Sequence, residues 1–150
     1  ARQMRANHAA ATSNSQIYAA HSVLSTGKWA KIRVPANGIY NLTADVVRRA
    51  GFSDLSKVRI YGYGGNLQNE KLSVEKLKEL DDLKEVPSCY IGGKRLFYGR
   101  GPVSWGSNTE VIRTRNHYSD YGYYFITESA EAPFSHRFTL SQTTITICTK

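Results

Sequence analysis

The sequence predicts a mainly β domain: an antiparallel β-sandwich-like or β-rich α+β fold with one or two short helices. Three observations predict it. Short runs such as "AKIRV" alternate apolar and polar residues with the period of a half-buried strand. Turn signals, among them "PANG" and the Gly92-Gly93 pair, separate these runs at close spacing. Only two stretches join a capping residue to a helical pattern, and both are short.

Taken in order, residues 1–21 are rich in Ala, Ser, Asn and Gln and read as a flexible N-terminal segment. Patterning begins at "VLSTGKWAKIRV", where Ala30, Ile32 and Val34 alternate with Lys31 and Arg33. "PANG" supplies a turn and "IYNL" returns, so residues 28–42 read as a β-hairpin. Thr43 is an N-cap for "ADVVRRAG", with Asp45 in the first turn, Arg48 and Arg49 in the last, and Gly51 just past the end. Val46, Val47 and Ala50 form its expected buried stripe. "KVRIYGYGG" is a strand that ends in a glycine turn. Ser73 caps "LSVEKLKELDD", which reads as helix or loop with Val74, Leu77 and Leu80 on one face. "EVPSCYI" and "KRLFY" flank Gly92-Gly93 as a hairpin, and Pro87 places the first of them at a sheet edge or delays its start. "GRGPVSWGSNT" is a glycine-rich loop, and "EVIRTR", "YGYYFITES", "HRFTL" and "TTITICT" complete the strands.

Composition narrows the class. Across 150 residues, hydrophobics make up 41% and charged residues 21%, a globular mixture with no apolar run near spanning length. The start carries no apolar signal-peptide segment and no initiator Met, which fits a fragment or a processed chain. The net charge of +8 raises anionic partners as a class. The Lys and Arg residues are scattered, with no block of five like charges, and this favours a solvated surface.

Chemistry is sparse. His8, His21, His117 and His136 fall in no zinc spacing, and no metal or cofactor is indicated. Asp81-Asp82, with Glu79 and Glu85 nearby, reads as a solvated acidic turn. "GYGGNL" lacks the third glycine of a dinucleotide fingerprint. Cys89 and Cys148 have no CxxC spacing; they allow one disulfide or, at least as readily, two buried thiols. Cys89 as a nucleophile would need a base such as His117, and no triad assembles around it. In "YGYYFIT", Tyr121, Tyr123 and Phe125 share one strand face and Gly122, Tyr124 and Ile126 the other. Both faces are apolar or aromatic, so this strand is expected to be covered on both sides.

From Val23 to Glu128 the blocks "SVLSTGKWAKIRV", "GIYNLT", "KVRIYGYGG", "DDLKEVPSCYIGGKRLFYGRGPVSW" and "NHYSDYGYYFIT" resemble a known module. It is the N-terminal, non-catalytic domain of the Por-type sortase, among the gingipain-like cysteine peptidases of the type IX secretion system. The resemblance implies an exported protein of the periplasm, outer membrane or cell surface of a Gram-negative bacterium. Full-length members cleave the sorting domain of exported cargo and help attach that cargo to surface lipopolysaccharide. Their Cys-His dyad lies in a downstream caspase-like domain. No histidine here is followed by Gly, as the family's catalytic His is, so catalytic roles carry over to no residue of this chain. After Pro133, "FSHRFTLSQTTITICTK" departs from the family.

The organisation expected is a flexible segment at 1–21, a β-rich accessory domain at 22–133, and an atypical tail at 134–150 with the makings of a last strand pair. The expected partners are a downstream peptidase domain or other secretion-system components, with no nucleic acid and no transmembrane segment. Tyr118, Tyr121, Tyr123 and Trp105 are the candidate domain-contact residues. The alternative is a stand-alone basic β domain that binds anionic glycan or nucleic acid.

Overall fold

A computed structural model of the chain describes residues 18–68, 70–106, 112–131 and 133–134, and the backbone of 138–140 and 143–145. Its strands are β1 (Ala30–Val34), β2 (Gly38–Leu42), β3 (Val58–Gly64), β4 (Ser88–Ile91), β5 (Lys94–Gly99), β6 (Val103–Trp105), β7 (Arg113–Arg115), β8 (Gly122–Glu128), β9 (Phe138–Leu140) and β10 (Thr143–Ile145). Two short helices, α1 (Ala44–Arg49) and α2 (Val74–Glu79), complete the set. One three-stranded antiparallel sheet runs β1-β8-β3 and a second β2-β5-β4, while β6-β7 and β9-β10 pair separately. The fold is therefore mainly β with two short helices, as the sequence predicts.

The hairpin expected over 28–42 does not form. The turn is present, but β1 pairs with β8 and β2 with β5, so the chain changes sheets there. The turn is held outward instead. Asn37 Oδ1 accepts from the Gly101 N–H at 2.7 Å and its Nδ2 donates to the Val103 carbonyl at 2.9 Å. The Tyr40 hydroxyl donates back to the Ala36 carbonyl at 2.7 Å. The opposite side repeats the device. Residues 84–86 add to the free edge of β3, with the Gly62 N–H on the Lys84 carbonyl at 3.0 Å and the Val86 N–H on the Ile60 carbonyl at 2.7 Å. Pro87 follows, and the chain enters the second sheet as its edge strand β4, where the sequence places it.

Between the sheets lie Val34, Ile60, Phe97, Tyr124 and Ile126, all buried, with the Phe97 and Tyr124 rings edge to face at 5.4 Å. Val47, Phe52 and Leu55 close one end of this core. Helix α1 starts on the Thr43 cap and stops at Gly51, whose φ is 83°. Its buried stripe is narrower than expected: Val47 is buried and Val46 is 38% exposed, because six residues offer one turn to the core. Helix α2 forms on its Ser73 cap, yet Val74 and Leu77 stay exposed. Polar bonds hold its C-terminal end, with the Tyr63 hydroxyl on the Glu79 carbonyl at 3.0 Å and also on that of Asp82.

Other expectations change as well. The presumed loop at Val103–Trp105 is β6, paired with β7. Only one face of β8 is buried; Tyr123 on the other is 36% exposed, because among the described residues no further layer covers the first sheet there. The acidic turn is not simply solvated. Asp82 accepts from the Val23 N–H at 2.7 Å, the Ser22 hydroxyl at 2.9 Å and the Leu83 N–H at 2.8 Å, and Asp81 accepts from the Ala19 N–H. The rest of the expected flexible segment, 1–17, with His8, His136 and Cys148, lies outside the described residues.

The Gly122 substitution isolates the close backbone approach that joins the sheets. A Cβ there would stand 1.9 Å from the Arg100 carbonyl oxygen, while at Gly92, φ 56°, it would meet nothing within 4 Å. Gly122→Ala should lower stability by about 1–3 kcal/mol or more, and Gly92→Ala by only about 1 kcal/mol of backbone strain. Urea midpoints of both variants check the ranking. Asp82 gives a pH prediction. Burial opposes its ionisation, but the bonds from Val23, Leu83 and Ser22 outweigh burial and hold its carboxyl below the ordinary value. Its stabilisation is therefore complete above the unfolded value of about 3.9 and lost as pH falls through the lower folded one. Amide exchange at Val23 should accelerate across that window, and Asp82→Asn should remove the dependence.

Candidate functional site

The outer face of the first sheet carries the concentrated chemistry. Strand alternation sends Tyr124 and Ile126 of β8 inward and Tyr123 and Phe125 outward. Antiparallel register sets Arg33 opposite Tyr123 and Lys31 opposite Phe125. The Lys31 ammonium sits 4.0 Å from the Tyr123 ring centre, and the Arg33 guanidinium 4.5 Å from that of Tyr121. The two tyrosine rings lie 6.4 Å apart. Further along the first sheet, Trp29 meets Tyr61 edge to face at 5.2 Å and donates its indole N–H to the Thr26 carbonyl at 2.6 Å. Desolvation, with the Glu85 charge, pushes the Tyr61 phenol up. Among the described residues, neither Lys31 nor Arg33 forms an ion pair.

Of the four residues singled out from sequence, the fold gathers Tyr121 and Tyr123 and leaves the others apart. Tyr118 is 87% exposed on a turn whose N–H donates to Asn116 Oδ1 at 2.9 Å. Trp105, 60% exposed, stands on β6 opposite Arg113. Neither ring touches the Tyr121–Tyr123 pair among the described residues.

Sequence reasoning missed three features. Arg95 is buried and donates to the Leu55 carbonyl at 3.2 Å, to the Ser56 carbonyl and to the Ser88 hydroxyl at 3.3 Å; burial lowers its pKa. Asn116 ties the end of β7 to the first sheet, its Nδ2 donating to the Gly65 carbonyl at 2.9 Å. A cavity of about 660 Å3 opens between the 84–88 crossover and β5, bordered by Ile39 and Tyr98, which are 76% and 52% exposed. A signal for it was present: Ile39 and Tyr98 stand on the faces opposite the core residues Leu42 and Phe97.

Cys89 is buried and disulfide-bonded, so it offers no thiolate, and the reading as a buried free thiol falls. His117 is exposed on the loop before β8. Among the described residues no cluster of three or more His, Cys, Asp or Glu side chains is placed to hold a metal ion. No described helix is long and apolar enough to cross a membrane.

Fold and face together define a two-sheet β domain with an outward surface of rings and cations. No protein-family profile matches the chain, and no curated protein does. Among solved structures it is similar to dimeric latent PorU from Porphyromonas gingivalis, with 41% identity and a TM-score of 0.67 over 79% of this chain. The match spans 11% of that protein's length. The chain thus carries a PorU-like domain, in agreement with the resemblance of its sequence blocks.

The ring and cation pairs are open to measurement. A double-mutant cycle on Arg33→Ala and Tyr121→Ala should give a coupling of about 0.5–1 kcal/mol, the range of exposed cation–π contacts. Chemical denaturation of the four proteins reads it, and zero coupling would mean that the contact adds nothing in water.

Proposed function

We propose that this chain is an accessory domain of type IX secretion that works by docking, not by chemistry, in the manner of the N-terminal domain of a gingipain-like sortase. The 41% identity to PorU over 79% of the chain carries this reading. Its surface fits the role. Tyr and Arg are enriched where proteins meet, and Tyr121, Tyr123, Arg33 and Lys31 form such a patch, with Tyr118 and Trp105 as outlying contacts. The partner is a peptidase domain of the PorU kind or another component of the secretion system. The disulfide at Cys89 supports maturation in an oxidising compartment, hence export to the periplasm or the cell surface.

A glycan or nucleic-acid platform is the weaker reading. Such platforms offer open ring faces for stacking. Here one face of each ring already carries a cation of the chain itself, Arg33 on Tyr121 and Lys31 on Tyr123.

The test is assembly in trans. PorU lacking the segment matched by this chain is mixed with the intact 150-residue chain. A complex should appear on size exclusion, and the double variant Tyr121→Ser/Tyr123→Ser should bind roughly tenfold or more weakly. Absence of a complex would refute docking. Binding to heparin or oligodeoxythymidine in its place, weakening steeply with salt, would favour the platform.

A further inference from the structure

We propose that β1 is a docking edge for an extended acidic segment, which adds to the first sheet as a further strand and sets two carboxylates against Lys31 and Arg33. The proposal rests on the docking reading above and names the chemistry of the partner.

The backbone supplies the edge. Strand β1 is outermost in the β1-β8-β3 sheet, and no described group bonds the outward backbone N–H and C=O groups of Ala30–Val34. Such groups need partners, and an open edge is a template for another strand. The opposite edge of the same sheet already works this way. Residues 84–86 add to β3, with the Gly62 N–H on the Lys84 carbonyl and the Val86 N–H on the Ile60 carbonyl. Among the described residues β1 has no such cover.

The side chains select what adds. Residues opposite one another on paired strands share a face, with Cβ atoms about 4.5–5.5 Å apart. Lys31 and Arg33 are exposed on the outer face, and among the described residues neither has a carboxylate within ion-pair distance. Two acidic residues spaced i, i+2 on the added strand meet both cations, from the side away from β8 and its tyrosine rings. The alternate residues of that strand turn inward beside Ala30 and Ile32, which are half-buried against the core, so they are apolar. The same charges disfavour a second copy of this edge. Antiparallel self-pairing centred on Ile32 would set the Lys31 of each copy against an Arg33, and like charges directly opposite are destabilising.

The test uses the intact 150-residue chain with synthetic peptides. A peptide that alternates Glu with Val should bind and slow exchange of the outward β1 amides by roughly tenfold or more. N-methylation of the peptide's edge-facing amides should weaken binding roughly tenfold or more, and so should the double variant Lys31→Glu/Arg33→Glu. That variant should take instead a peptide that alternates Lys with Val, which also shows that it is folded. No binding of the Glu peptide, equal binding of both peptides by the wild-type chain, or binding without protection of β1 overturns the proposal. The mixture with PorU lacking the matched segment separates this inference from docking itself. A complex in which β1 exchange stays fast and charge reversal changes nothing would leave docking standing and refute the acidic edge. Protection of β1 by the Glu peptide without any such complex would uphold the edge and refute the PorU-like partner.

Discussion

The domain depends on one place where three stretches of backbone touch. Gly65 at the end of β3, Arg100-Gly101 after β5, and Gly122 at the start of β8 meet without side chains between them. A Cβ on Gly65 would stand 2.8 Å from both Gly101 and Gly122, and one on Gly101 would stand 2.5 Å from Ala36. The junction is buried, so its polar groups need partners. The Gly65 N–H donates to the Arg100 carbonyl at 3.0 Å, and the Arg100 N–H donates to the Tyr124 hydroxyl at 2.7 Å. Asn37 and Asn116 complete the set from the turn before β2 and the end of β7. Burial raises the pKa of the Tyr124 phenol, whose hydroxyl accepts the Arg100 N–H.

That junction explains why the chain changes sheets twice. With the loop after β5 locked against the end of the first sheet, the turn at Pro35–Asn37 bonds to that loop through Asn37 and to β2 through the Tyr40 hydroxyl. The 84–88 crossover does the same on the far side, where Glu85 takes both the Arg59 side chain, at 3.2 Å, and the Phe134 N–H. The two sheets thus share their chain at both flanks, and among the described residues no layer covers the outer face of the first sheet.

The parts of this fold that were legible in sequence are those whose information is local. Thr43 and Gly51 bracket α1, Gly92-Gly93 turns β4 into β5, and Pro87 marks an edge, because each depends on its own dihedrals and nearest neighbours. What escaped depends on distant partners. Asn37 reads as a turn residue until Gly101 stands beside it, and Asp82 as a solvated acid until Val23 does. The supposed hairpin failed for the same reason, since alternation fixes which residues face inward but not which strand lies alongside. The candidate face was half legible. Alternation put Tyr121 and Tyr123 together, but only the β1-β8 register brings Lys31 and Arg33 onto their rings. Trp105 and Tyr118 share the aromatic character and not the location.

The same pairing sets terms for anything that docks there. In the uncovered domain, water solvates the outer sides of Lys31 and Arg33 while the tyrosine rings hold their inner sides. Such a face tolerates exposure, unlike a bare apolar patch. Covering it removes that water, and a buried cation without acceptors is costly. Neither cation has a carboxylate of its own chain within ion-pair distance among the described residues. The acceptors therefore have to come from the docking surface, as carboxylates or free carbonyls set about one strand-repeat apart. An apolar surface alone would gain the rings and lose more on the charges. For a partner of the proposed kind, selectivity would rest on two cations that the fold positions and does not neutralise.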